Sequence, residues 1–190
     1  PRARGLGDVY KRQIRVGAAG FSLAGTLTKP VNAPSPTNGR WPTILLVPDS
    51  ASSDRDVTFS GIPIFRQLSD ALVENGFMVM RFDKRGVGQS GGRPESATLE
   101  DYADDVRELV RYLERRPDVD RERIILVGYS DGGWGSLVAA RRENKIKAVA
   151  LIATAGISGH ELVLEQQATL LTSTGNSEIE RQENIDLQQR

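Results

Sequence analysis

The chain has no cysteine and a single histidine, His160. Without thiols, disulfides, thiolate catalysis and cysteine metal sites are excluded, and one imidazole with scattered carboxylates makes no recognisable metal site. Neither sign of charge is in excess: 25 basic residues face 25 acidic ones, so nothing in the charge points to nucleic acid or an acidic lipid surface as partner. No apolar run approaches the ~18 residues needed to span a bilayer. There is no internal repeat. What remains is 190 residues, enough for one domain with a sizeable core.

Residues 1–13 read as foreign to that domain. Asp8-Val-Tyr-Lys-Arg-Gln13 is the translation of a sequencing-transposon end, and Arg4-Gly-Leu-Gly7 continues it in frame. The segment is therefore set apart from the fold, and the expectation is that the native N-terminus is missing.

The stretch with most to say is Ile124-Ile-Leu-Val-Gly-Tyr-Ser-Asp-Gly-Gly-Trp134. Four aliphatic residues in a row predict a strand covered on both faces, as in a parallel sheet. Gly128-Tyr129-Ser130-Asp131-Gly132 then fits G-x-S-x-G, a sharp strand-to-helix turn that lifts a serine hydroxyl above the sheet. Leu137, Val138, Ala139 and Ala140 follow as an apolar stretch for a helix packed on that sheet. The bare pattern is weak, because glycine is common here and Gly88-Gln89-Ser90-Gly91-Gly92 matches it too. Gly86 to Gly91 also fits a dinucleotide fingerprint, G-x-G-x-x-G. Context separates the three: Gly92-Arg93-Pro94 follows the second pair, and the next helix starts only near Thr98. Ser130 alone has a strand directly before it and a helix directly after.

Taken in order, Ile14–Val16 and Phe21–Thr28 predict a β-hairpin joined at Gly17–Gly20. After a Pro/Gly/Asn-rich connection, Thr43–Val47 reads as a buried strand, followed by a polar loop over 49–61. Phe65, Leu68, Leu72 and Val73 share one helical face, closed by Asn75-Gly76. Phe77–Phe82 is the next strand. Thr98 and Asp101 form a capping box for a helix that ends before Pro117, and Ala148–Thr154 is another buried strand. Beyond Ala155 the chain is helical and polar, with Ser177 as a candidate cap for a last segment. Alternating strands and helices predict a mostly parallel, doubly wound sheet.

These motifs together resemble the α/β-hydrolases, in particular esterase-like members labelled serine aminopeptidase or S9-like peptidase. The likeness covers about residues 14–172. It rests on the elbow at 128–132, on Asp83-Lys-Arg-Gly-Val-Gly-Gln-Ser90 (the family's D-x-R-G-x-G-x-S loop), on Asp54-Arg55-Asp56, and on Glu161–Gln167 as a first cap helix. The resemblance implies an α/β-hydrolase core at 14–156, the start of a helical cap at 157–190, and a sheet truncated before its last strands.

For chemistry, the resemblance implies acyl transfer on a small-molecule ester or amide without a cofactor. Ser130 would attack the carbonyl. The backbone N–H groups of Asp131 and Ser50 would hold the oxyanion. Pro48-Asp49-Ser50-Ala51 departs from the family's usual His-Gly-x-Gly, and a carboxylate at Asp49 facing the site would oppose developing negative charge. The family's chain order is serine, acid, histidine, so the triad acid and histidine are expected beyond residue 190 and this chain by itself is expected to be nearly inactive. His160 is the only histidine inside it, with no acid placed before it on a later strand. Asp83 is expected to order the 83–90 loop. A peptidase of the same fold, a non-catalytic hydrolase-fold binder and a Rossmann-type dehydrogenase stand as alternatives to the esterase. Oligomeric state is not readable.

Overall fold

The computed structural model describes residues 9–30, 39–49 and 54–173. They divide into two units, the first ending at Thr154 and the second starting at Ala155.

Unit one opens with strands β1 (Val9–Ala18) and β2 (Phe21–Pro30), an antiparallel hairpin turning on two residues, Ala19-Gly20. Pairing runs five residues further towards the N-terminus than the alternation over 14–16 predicted. Strand β3 (Trp41–Val47) follows. The loop expected over 49–61 contains a small hairpin, β4 (Thr58–Phe59) and β5 (Ile62–Pro63), turning at Ser60-Gly61. The remaining elements of this unit are helix α1 (Ile64–Glu74), strand β6 (Met78–Phe82), helix α2 (Leu99–Glu114), strand β7 (Val119–Tyr129), helix α3 (Gly132–Arg142) and strand β8 (Ile146–Ile152).

Local chemistry explains the helix limits. Thr98 caps α2: its hydroxyl accepts from the Asp101 N–H, and the Asp101 carboxylate accepts from the Thr98 N–H. This reciprocal box satisfies two N–H groups that the first turn cannot. Helix α1 closes at Asn75, with Gly76 at φ 87°, the left-handed conformation that glycine adopts without a Cβ clash.

The main sheet has the order β1-β2-β6-β3-β7-β8, antiparallel through β2 and β6 and parallel from β6 to β8. Alternation along each inner strand sends side chains to both faces. Ile44, Leu46, Val79 and Val127 pack with Phe65 and Val73 of α1. Leu45, Met78, Met80, Ile124 and Leu126 pack on the other side with Val106, Leu109, Val110 and Leu113 of α2. Buried on both faces, these strands carry no polar stripe. Helix α3 contributes Ala139 to that second side, whereas Leu137, expected to pack inward, is exposed.

Chain order and sheet order together locate a crevice. From β3 the chain steps outward through α1 to β6. It then crosses back through α2 to β7 and moves the other way through α3 to β8. The connections leaving β3 and β7 therefore diverge onto opposite faces, and open parallel sheets bind ligands at such a switch point, beyond the carboxyl ends of the strands.

Unit two contains helix α4 (Gly159–Ser173), opened by a second reciprocal box between Ser158 and Glu161. The segment from Ser177 lies outside the described residues. No described helix is long and apolar enough to cross a membrane.

Candidate active site

The turn from β7 into α3 occupies one wall of the crevice. Ser130 sits at φ 53°, in the left-handed region that a residue with a side chain enters only under strain. Three hydrogen bonds hold it there. Its N–H donates to the Ile152 carbonyl at 2.8 Å, and its own carbonyl accepts from Thr154 Oγ1 at 2.8 Å and from the Gly133 N–H at 3.0 Å. The flanking glycines are steric requirements. A Cβ on Gly128 would lie 2.5 Å from the Gly133 Cα, and one on Gly132 would collide with the Pro48 carbonyl oxygen at the end of β3. Asp131 adopts a helical conformation immediately before α3 begins, so the chain passes from strand to helix within two residues of the serine.

Strand register brings two further groups to the level of Ser130. Val47 pairs with Gly128, and Leu46 pairs with Arg81. Two residues beyond Val47 lies Asp49, two beyond Gly128 lies Ser130, and the matching position after β6 is Lys84. The three occupy the outward ends of adjacent strands. Lys84 is 4% exposed, with its ammonium 5.8 Å from the centre of the Tyr102 ring. Burial lowers its pKa, and the carboxylates of Asp49 and Asp131 pull it back towards the charged form. Asp49 Oδ1 is buried with no hydrogen-bond partner among the described residues. Ser50, the expected second oxyanion donor, lies outside the described residues.

The 83–90 loop is ordered by Asp83, as its position predicted. The carboxylate accepts from the Gln89 N–H at 2.9 Å and from Arg55 three times. Burial by itself raises the Asp83 pKa, but hydrogen bonds from the Arg55 side chain and from the Gln89 and Arg55 N–H groups outweigh it and hold it below the usual carboxylate range. Gly88 is needed here because any Cβ would lie 2.5 Å from Asp83 Oδ2. Ser90, the other serine in a G-x-S-x-G match, spends its hydroxyl on structure. It donates to the Asp83 carbonyl at 2.6 Å and accepts from the Ala24 N–H at 2.8 Å.

Arg85 turns the opposite way and makes a two-pronged pair with Asp105 of α2, at 2.7 and 2.9 Å. Asp56 pairs with Arg81, which is buried on the α1 face. A cleft of about 420 Å³ opens beside these pairs, lined by Lys11, Gln13, Arg55, Arg66, Arg81 and Asp83 among others. Ser130 is not part of its lining. Two ion pairs, Arg55 with Asp83 and Arg81 with Asp56, are internal to that cleft.

Thr154 and Lys84 are site residues that sequence patterns did not single out. Thr154 lies two residues past β8 (Ile146–Ile152) with nothing local to mark it. The strand predicted as buried over 148–154 ends earlier and is largely exposed, because among the described residues no further strand pairs with it beyond β7. Lys84 occupies the variable position of its motif, and only the count along paired strands reveals its neighbours. His160 belongs to unit two, in the first turn of α4.

Comparison with known proteins agrees with this architecture. The family model described as serine aminopeptidase, S33, matches residues 62–182. Esterase EstD of Thermotoga maritima is 31% identical over 165 residues, which is 86% of this chain and 38% of EstD. Among solved structures, the α/β hydrolase GrgF from Penicillium superposes with a TM-score of 0.66 at 21% identity, covering 87% of this chain and 53% of GrgF. Pyrococcus furiosus esterase Pf2001 gives 0.64 at 17% identity, covering 84% and 54% respectively. The chain thus spans between 38% and 54% of the length of these relatives. With its parallel sheet, antiparallel entry hairpin and matched family model, the chain belongs to the serine aminopeptidase (S33) family of α/β-hydrolases.

Proposed function

We propose that the protein is a serine hydrolase that cleaves small carboxylic esters, with Ser130 as nucleophile. The observation that carries this is the conformation of Ser130: a non-glycine residue at φ 53°, between two glycines that have no room for a Cβ. Such strain persists only where the surroundings enforce it, and it concentrates at functional sites. On this reading Ser130 Oγ attacks the carbonyl carbon, its proton passes to a base, and the bond to the leaving alcohol breaks. Water then releases the acyl group from Ser130.

The Asp131 N–H, at the start of α3, is the first oxyanion donor, and the Ser50 N–H is the proposed second. On the same reading α4 (Gly159–Ser173) begins a cap, and the base that takes the proton is assigned to no described residue. The ester preference is supported by the name of EstD. A peptidase reading is favoured by one finding, the description of the matching family model.

The test is covalent labelling of the full-length gene product with a fluorophosphonate, read by mass spectrometry. One adduct on Ser130, absent from Ser130→Ala, is expected. Equal labelling of the two proteins would remove Ser130 from the mechanism. Parallel assays of the parent gene product with p-nitrophenyl esters and aminoacyl nitroanilides then separate esterase from peptidase.

A further inference from the structure

Asp49 poses an electrostatic problem for acyl transfer at Ser130. It ends the segment that leaves β3, the strand beside β7, and it stands two residues past Val47, just as Ser130 stands two past Gly128. The Pro48 carbonyl before it is packed against Gly132 so closely that no Cβ fits between them. A carboxylate on this segment, beside the Ser130 turn, would oppose the negative charge that a carbonyl oxygen gathers under attack, because in a low-dielectric crevice like charges oppose each other strongly. Its Oδ1 is buried with no hydrogen-bond partner among the described residues, so hydrogen bonding to that oxygen does not spread the charge. Asp131, next to the serine, adds a second carboxylate.

The third strand end supplies the counter-charge. Lys84 follows β6, the neighbour of β3 on its other side, at the level of Asp49. Its side chain is almost fully buried beneath Tyr102 of α2. Burying an ammonium is costly unless compensating groups surround it. Asp49 and Asp131 are the two carboxylates that act on it. Arg85, one residue on, is committed to Asp105 and Asp101, and Asp83, one residue back, to Arg55 and Gln89. Of the two cations in its motif, Lys84 is the one on which these two carboxylates act.

We propose that Lys84 is a positioning residue for acyl transfer, its buried ammonium cancelling the Asp49 carboxylate so that negative charge can form on the substrate oxygen between β3 and β7. The inference rests on the assignment of Ser130 as nucleophile. It explains how the chain carries Pro48-Asp49 where an uncharged glycine-containing loop would impose no such field.

Fluorophosphonate labelling tests it, because the Ser130 Oγ–P bond forms as fluoride leaves and the phosphonyl oxygen gathers charge in the same place. Labelling rates are compared in the full-length gene product for the parent, Lys84→Met, Asp49→Asn and the double variant, with folding followed by circular dichroism. Lys84→Met is expected to slow labelling at least about tenfold, the double variant to return to within about threefold of the parent, and Asp49→Asn to label faster than the parent. Parent-like labelling of Lys84→Met, or a double variant as slow as Lys84→Met, would overturn the role of Lys84. If Lys84→Met does not fold, Asp49→Asn decides: acceleration supports the proposal and an unchanged or slower rate overturns it. Absence of any adduct on the full-length gene product would instead bring down the nucleophile assignment, and this inference with it.

Discussion

Arg55 grips Asp83 three times. Its Nε donates to Oδ1 at 2.9 Å, its Nη2 to Oδ2 at 2.6 Å, and its backbone N–H to Oδ1 at 2.9 Å. The same guanidinium reaches Thr26 Oγ1 at 2.9 Å and Gln13 Oε1 at 2.6 Å. One side chain therefore ties the connection after β3 to the loop after β6 and to the entry hairpin. Asp49 lies in the first of these connections and Lys84 in the loop after β6, so the clasp ties together the two segments that carry them.

Removing one half of the clasp leaves a buried charge behind. Arg55→Ala is expected to destabilise the first unit by about 3–5 kcal/mol, the usual cost of orphaning a buried ionic partner. The double variant with Asp83→Asn should cost less than the sum of the two single changes. Urea unfolding of the four proteins gives the coupling. Strict additivity would mean that the two side chains do not act together.

Acid sensitivity follows from Asp83. Its folded pKa lies below the usual carboxylate value, so between the two values the unfolded chain binds more protons than the folded one. The stability it contributes is present above the ordinary carboxylate range and is lost as pH falls through the folded value. Asp83→Asn should therefore be less stable at neutral pH and show a flatter decline on acidification. A decline as steep as the parent's would assign the acid limb to other carboxylates.

The strain at Ser130 has its own signature. Glycine enters φ 53° without a Cβ penalty, so Ser130→Gly is expected to raise Tm by about 2–4 °C, corresponding to roughly 1 kcal/mol. Ser130→Ala keeps the Cβ and should not. Differential scanning calorimetry separates the two, and equal Tm values would show that the turn is unstrained.

Gly132→Ala tests the contact between strand ends. The new Cβ would strike the Pro48 carbonyl oxygen, and backbone on both sides leaves little freedom to yield. A loss of about 1–3 kcal/mol is expected, together with slower fluorophosphonate labelling as Asp131 is displaced. Wild-type stability would show that the α3 terminus has room to shift.

Strand β8 ends the sheet in this structure, with Leu151 46% and Ile152 41% exposed. An apolar edge with unpaired backbone groups is a template for association. Leu151→Lys should raise the protein concentration at which light scattering begins during refolding. No change would place the association surface elsewhere.

Much was legible in the sequence because it is governed by neighbours along the chain. The capping box at Thr98 and Asp101, the Asn75-Gly76 stop of α1 and the aliphatic runs of β3, β6 and β7 all follow from local backbone chemistry and side-chain periodicity. The sharp turn at Gly128–Gly132 was legible for the same reason, since its collisions arise within a few residues. The extra reach of β1 was not, because Lys11 and Arg12 carry no strand pattern and simply follow the partner that β2 offers. Tertiary structure alone decided which residues share one level at the strand ends. Asp49, Lys84 and Ser130 are separated by tens of residues, and only the register of three parallel strands brings them to one level. It also decided that Ser90 is structural and Ser130 is not so committed. That distinction depends on where Ala24 and Asp83 stand in space, and backbone hydrogen bonds between distant strands set it.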